Sequence, residues 1–238
     1  MSKLIYITHA SLDGYIEDQT GAFDWSNPDQ VFDFITELMR PIGTHLLGRR
    51  LYETMAYWDG PLEGYPPEHR DFARVWQKAE QIVFSRTLTR APTRIARVER
   101  EFDPEATRKL KRESEHDIFI GGAELAGLAF ESDLVDECHR FLHPVIVGGG
   151  KPAFRAAIRR DLELLETRRF GTGAIHLRYR MRRDSVTRDY PADFHHGLLG
   201  RSASLISCLY AAVAQILSHP PTRCDQCPYW LSSNAAYR

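Results

Sequence analysis

"DIFIGGAELAGLAF", residues 117–130, decides how this chain is read. "DIFIG" is a short apolar run of the kind that forms a strand buried on both faces, and "AELAGLAF" reads as a helix. A strand that passes into a helix across a pair of glycines is half of a βαβ unit, which builds a parallel sheet. Gly121 and Gly122 fit a tight turn; they fit equally a backbone that lets a phosphate rest on the helix start.

The same alternation extends outward. Strand-like runs stand at 3–10, 44–48, 81–85 and 93–98, and helical patterns at 28–40, 49–58, 67–80, 103–114 and 123–132. In "PDQVFDFITELMR" the apolar positions follow the 3.6-residue period, with Asn27 as N-cap and Pro28 at the first helical position. Such a pattern predicts an α/β sheet, mostly parallel and covered on both faces. Toward the C-terminus "ECHRFLHPVIVG" (137–148) and "AIHLRYRMR" (174–182) have no helix between them, only a Gly-rich loop and "LELLETRRF". They read as an antiparallel closing hairpin at the sheet edge.

Composition bounds the partners. Across 238 residues, Lys+Arg 31 balance Asp+Glu 32 to a net charge of -1, so nothing global steers the chain to nucleic acid or to an anionic membrane. A small-molecule substrate is the expected partner, and any anion site must be local. The "LIYITHA" run near Met1 is too short for a signal-peptide core, which predicts a cytoplasmic protein. Past Asp184 the texture turns to Ser, Pro, Ala and His, predicting a main domain over 1–184 and an appendage over 185–238. Cys224 and Cys227 lack a second pair at finger spacing, so no metal site is expected.

Three loops follow predicted strands, where helix N-termini offer free N–H groups to an anion. In "LLGRRLYE" (46–53), Gly48 removes a Cβ from the path of a phosphate. Arg49 and Arg50, in the first turn of the next helix, oppose its macrodipole by about 0.3–1 kcal/mol each. A bound polyanion would remove that conflict; two solvated arginines are the alternative. "VFSRTLT" (83–89) offers Ser85, Arg86 and Thr87, and "FIGGAELA" (119–126) offers the glycine pair without the G-x-G-x-x-G spacing. "VIVGGGKPAF" (145–154) fails as a P-loop, because Pro152 follows Lys151, and reads as a turn that shapes a pocket wall.

Six motifs stand in order over residues 1 to about 183: "ASLDGYI" (10–16), "GAFDW" (21–25), "LLGRRLYE", "IVFSRTL" (82–88), "IFIGGAEL" (118–125) and "HPVIVGGGKPAF" (143–154). With them the chain resembles the dihydrofolate reductase-like superfamily, and within it the C-terminal reductase domain of the riboflavin-biosynthesis deaminase/reductase. The resemblance implies a three-layer αβα fold whose eight-stranded, mostly parallel mixed sheet has an antiparallel C-terminal edge. It also implies NADPH as cofactor and a homodimer.

By position, the resemblance puts Gly48, Arg49 and Arg50 at the pyrophosphate and 2′-phosphate, Ser85 and Arg86 at the 2′-phosphate, and Gly121, Gly122 and Ala123 at the pyrophosphate. Thr8, His9 and Ile16 would flank the nicotinamide. Trp25 would be an active-site wall or a loop anchor, and His143 a substrate neighbour or a packed core residue. Asp13 is either a catalytic carboxylate or a turn residue bonded to local backbone. Dihydrofolate reductases place an acidic residue two positions after a proline; here Gln30 holds that place and Asp29 stands one residue early, turned by roughly 100° on a helix. Asp29 is therefore the second acidic candidate, and folate reduction proper is disfavoured. The implied activity is reduction of a small heterocyclic or carbonyl substrate, pyrimidine-like and of the 5-amino-6-ribosylaminouracil phosphate type. A dinucleotide-binding module without catalysis is the alternative.

Overall fold

The strand that carries the fold is β6 (Asp117–Gly121), with Ile118 and Ile120 fully buried. It lies between β1 (Leu4–Ser11) and β3 (Ile42–Gly48) and pairs with both in parallel. The computed structural model describes residues 1–26, 31–89, 96–155 and 158–183, all within the unit Met1–Asp184. The expected appendage, with Cys208, Cys224 and Cys227, lies outside the described residues.

Outward from β3 the sheet continues through β4 (Glu80–Phe84) and β5 (Ala96–Glu99); outward from β1 it continues through β7 (Glu137–His143). All of these run parallel. β10 (Ile175–Met181) then pairs antiparallel with β7 on one side and with β9 (Leu162–Arg169) on the other, closing an eight-stranded sheet. β2 (Tyr15–Glu17) and β8 (Lys151–Pro152) form a separate two-stranded ribbon.

Helices cover both faces. α1 (Phe32–Met39), α2 (Arg49–Met55) and α3 (Arg70–Lys78) bury Met39, Tyr52, Phe72 and Trp76 against Leu47 and Val83 on one side. α4 (Pro104–Glu113) and α5 (Ala123–Glu131) cover the other, where Leu125, Ala129 and Phe130 meet Leu4, Tyr6 and Ile118. Each such large side chain contributes about 1.5–3 kcal/mol through its burial. α4 starts where Asp103 accepts hydrogen bonds from the N–H groups of Glu105 and Ala106, with Pro104 at the first position. No helix among the described residues is long and apolar enough to cross a membrane.

The three-layer, mostly parallel α/β fold is as expected from the sequence; three details differ. The expected strand over 137–148 ends at His143, because Pro144 has no N–H for the ladder and restrains the residue before it. The closing edge is not a simple hairpin: "LELLETRR" is itself the outermost strand, and because none of its residues is fully buried its periodicity is weak. The helix expected over 67–80 divides into a 3-10 turn (Pro67–His69) followed by α3, and the described part of α1 begins at Phe32, leaving Asn27 and Pro28 outside the described residues.

Candidate functional site

Because the strands are parallel, their C-terminal ends share one edge, and the loops leaving β1, β3, β4 and β6 meet there around a cleft of about 1810 Å³. Thr8, His9, Ile16, Gly48, Arg49, Arg50, Ser85, Arg86, Gly122 and Ala123 all line it. The three loops picked out as anion sites thus converge on a single space, with Gly150 and Lys151 in its wall. Phe32, Ile35 and Met39 of α1, with Trp58 and Phe72, give the cleft an apolar flank.

Gly48 and Gly122 approach closely where their loops meet. Gly122 is the N-cap of α5 with φ 93, a conformation that L-residues avoid. A Cβ placed there would stand 3.6 Å from Cα and N of Gly48. Gly121 has a different duty and does not line the cleft. A Cβ on it would come within 2.2 Å of Leu51 Cδ2 and 2.6 Å of Phe119 Cζ, so its missing side chain makes room for α2 to pack. In the structure the missing side chain of Gly121 serves packing, and the glycine of the pair that lines the cleft is Gly122.

The cations around the cleft are held loosely. Arg49 pairs with Glu53 at 3.4 Å, Arg50 with Glu17 at 3.6 Å and Arg86 with Glu101 at 3.6 Å, and all three guanidinium groups remain exposed. Ser85 is buried, and its Oγ accepts from the N–H of Leu88 at 2.9 Å, so it shapes the turn that presents Arg86. Arg100, which sequence reasoning missed, donates to the carbonyl of Arg86 at 2.7 Å and lines the cleft beside it. It follows an edge strand that carries no motif, and only the pairing of β4 with β5 brings it there.

Asp13 does not line the cleft. Asp13 accepts from the N–H of Gly148 at 2.8 Å and of Val147 at 3.2 Å, tying the glycine loop to the end of β1. The Ser11 hydroxyl, then these amides, hold its pKa below the ordinary carboxylate value. In this structure Asp13 serves as a loop anchor. Asp29 and Gln30 lie outside the described residues, and Asp33 is exposed in the first turn of α1.

His143 and Trp25 stand behind the cleft wall. Nε2 of His143 lies 2.9 Å from Nδ1 of His9, which does line the cleft, and Trp25 packs on His143 at 5.8 Å with the ring planes at 68°. Trp25 Nε1 is buried and has no hydrogen-bond partner among the described residues. Burial, and then the neighbouring His143, push the His9 pKa down to about 3; burial also lowers that of His143. Both rings are therefore neutral near pH 7, and one nitrogen of the contact donates while the other accepts. Sequence reading placed both residues near the site and missed that they touch, since 134 positions separate them.

The family described as the RibD C-terminal domain matches residues 2–176. The YyaP protein of Bacillus subtilis is 30% identical over 179 residues, covering 74% of this chain and 94% of its own. Among solved structures, a pyrimidine reductase-like protein from Corynebacterium diphtheriae superposes with a TM-score of 0.59 at 16% identity, over 77% of this chain and 93% of its own. A dihydrofolate reductase from Enterococcus faecalis, solved with NADP(H), gives 0.53 at 16% identity, over 75% of this chain and 96% of its own. At these identities the structural matches speak for the fold.

Proposed function

The chain belongs to the RibD C-terminal domain family, and on that premise we propose that it is an NADPH-dependent reductase of a small heterocyclic or carbonyl substrate, pyrimidine-like in class. The observation that carries this reading is the convergence of Gly48, Gly122 and the loosely paired Arg49, Arg50 and Arg86 on one cleft at the carboxyl ends of parallel strands. The residues fit a dinucleotide. The Gly48–Gly122 gap is bare backbone that a Cβ would enter at ordinary contact distance, and the N-terminus of α5 turns free N–H groups toward it. Exposed guanidinium groups on the rim suit phosphate oxygens, which they grip in bidentate fashion.

NADPH, when bound, supplies a hydride. This chain's residues bind and orient: Gly122 and Ala123 offer backbone to the pyrophosphate, Arg49, Arg50, Arg86 and Arg100 offer charge, and Thr8, His9 and Ile16 face the nicotinamide end. The apolar flank formed by Phe32, Ile35 and Trp58 takes a flat ring and excludes water from it. The reading includes a cytoplasmic homodimer, whose stoichiometry sedimentation of the full chain tests.

The deciding experiment is a titration with NADPH followed by fluorescence or calorimetry, then stopped-flow oxidation with quinones, pterins and aminouracils. Binding followed by oxidation with an aminouracil is expected. No affinity for NADPH overturns the proposal, and binding without oxidation by any acceptor leaves a dinucleotide-binding module.

A further inference from the structure

His9 and His143 stand on the neighbouring parallel strands β1 and β7, where His9 pairs in register with Phe141 and Ser11 with His143. The His9 ring lies flat on Phe141, with centroids 4.7 Å apart and planes at 9°, and stacks on His143 at 5.2 Å. Phe141 is fully buried, so the face that supports His9 is fixed. Nδ1 of His9 is committed to Nε2 of His143 at 2.9 Å. The other nitrogen of His9, Nε2, bonds no protein atom among the described residues, and His9 forms part of the cleft wall.

Two proton arrangements satisfy this contact. If His9 donates from Nδ1, both rings are in the Nδ1–H form and Nε2 of His9 is a bare acceptor. If His143 donates from Nε2, both rings are in the Nε2–H form, the preferred tautomer of a neutral imidazole, and Nε2 of His9 is an N–H donor. A reducible C=O or C=N accumulates negative charge on its oxygen or nitrogen when a hydride reaches its carbon, and a fixed donor stabilises that charge. A neutral imidazole is suited to the role, as in other carbonyl-polarising sites. Burial keeps His9 neutral in that sense, and an uncharged donor leaves the affinity for a neutral ring intact.

We propose that His143 donates to Nδ1 of His9 and thereby locks His9 with its Nε2–H as the hydrogen-bond donor to the carbonyl oxygen or imine nitrogen of the reducible group. His9 touches the substrate; His143 is a positioning residue that acts through it. The substrate class is accordingly a neutral heterocycle or small carbonyl compound with an acceptor atom at the carbon that is reduced. The substrate role rests on the reductase reading above; the tautomer lock does not.

The test has one readout without cofactor and one with it. Long-range proton–nitrogen spectra of the full chain with labelled histidine, at neutral pH, are expected to show His9 in the Nε2–H form. His143→Phe should release it into a mixture of tautomers, while His143→Gln, whose amide can still donate, should keep it. A charged or Nδ1–H His9 in the native protein, or no change in His143→Phe, overturns the lock. In NADPH oxidation with carbonyl and imine acceptors, His9→Phe should lower kcat by about 10²-fold, as loss of one oxyanion donor does, with partial recovery in His9→Gln. Full turnover by His9→Phe overturns the substrate role. Failure of the native protein to bind NADPH sinks the reductase reading and with it the substrate role, and the spectra still decide the lock.

Discussion

Gly48 and Gly122 face each other across the gap between the ends of β3 and β6, so closely that a Cβ on Gly122 would stand 3.6 Å from the Cα of Gly48. The left-handed φ at Gly122 calls for glycine whatever lies nearby, and with Gly48 opposite it the gap is bare backbone. Their neighbours, Gly121 and Arg49, point to different tasks, one to packing and one to charge.

Gly122→Ala and Gly121→Ala should therefore separate binding from stability. At Gly122 the left-handed φ of 93 makes any L-residue costly, by about 1–3 kcal/mol, and the new methyl also narrows the gap. Urea unfolding and NADPH titration should both register the change, with affinity down at least about tenfold. Gly121→Ala, which collides with Leu51, should register mainly in urea. Native NADPH affinity in Gly122→Ala would dismiss the gap as a phosphate site.

Arg86→Ala should change ligand preference and little else. The guanidinium is exposed and only loosely paired with Glu101, so stability should stay within about 0.5 kcal/mol. Loss of one charge-assisted phosphate contact should weaken NADPH by about tenfold, and NADH, which lacks the 2′-phosphate, should be unaffected. Equal losses for both dinucleotides would place Arg86 away from the 2′-phosphate.

Asp13→Ala should free the glycine loop. Amide exchange at Val147 and Gly148 is expected to quicken, and the melting temperature to fall. The Asp13 pKa is depressed in the folded state, so its stabilisation is present above the unfolded value of about 3.9 and is lost as pH falls through the lower folded value. The melting-temperature difference between native and variant should accordingly shrink in acid. Unchanged exchange at both amides would remove the anchor role.

His45→Phe should be neutral or stabilising and should flatten the acid limb of stability. His45 is fully buried against Trp76, and neither ring nitrogen has a hydrogen-bond partner among the described residues. Burial pushes its pKa down to about 3, so between that value and about 6.5 the unfolded chain binds the proton that the folded one refuses. Stability then falls as pH drops through this window, by about 2 kcal/mol at pH 5 from this group alone. Denaturant midpoints from pH 7 to 4 measure the slope; an identical slope in the variant would show that His45 keeps a partner on folding.

Local pattern accounts for most of what could be read in advance. The parallel run of β1, β3, β4 and β6, and the loops that follow them, were legible because the strands and helices carry apolar periods and the loops carry glycine or, after β4, Ser85 and Arg86. β9 escaped because an edge strand with no fully buried residue has no one-sided pattern to show. Arg100 escaped because nothing in its own stretch marks it; it joins the cleft through the pairing of β4 with β5.

The sequence by itself determined the α/β class and the three loops that open on one sheet edge, since these depend on periodicity and on residue types a few positions apart; the family follows from the resemblance of six motifs in order. Only the tertiary structure decided which glycine of the pair meets the cleft, what Asp13 holds, and that His9 is bonded to His143. Those outcomes depend on Leu51, on the Gly148 amide and on a strand 134 positions away. Side chains that meet through the sheet leave no spacing in the chain, because register between strands, and not distance along the sequence, sets who touches whom.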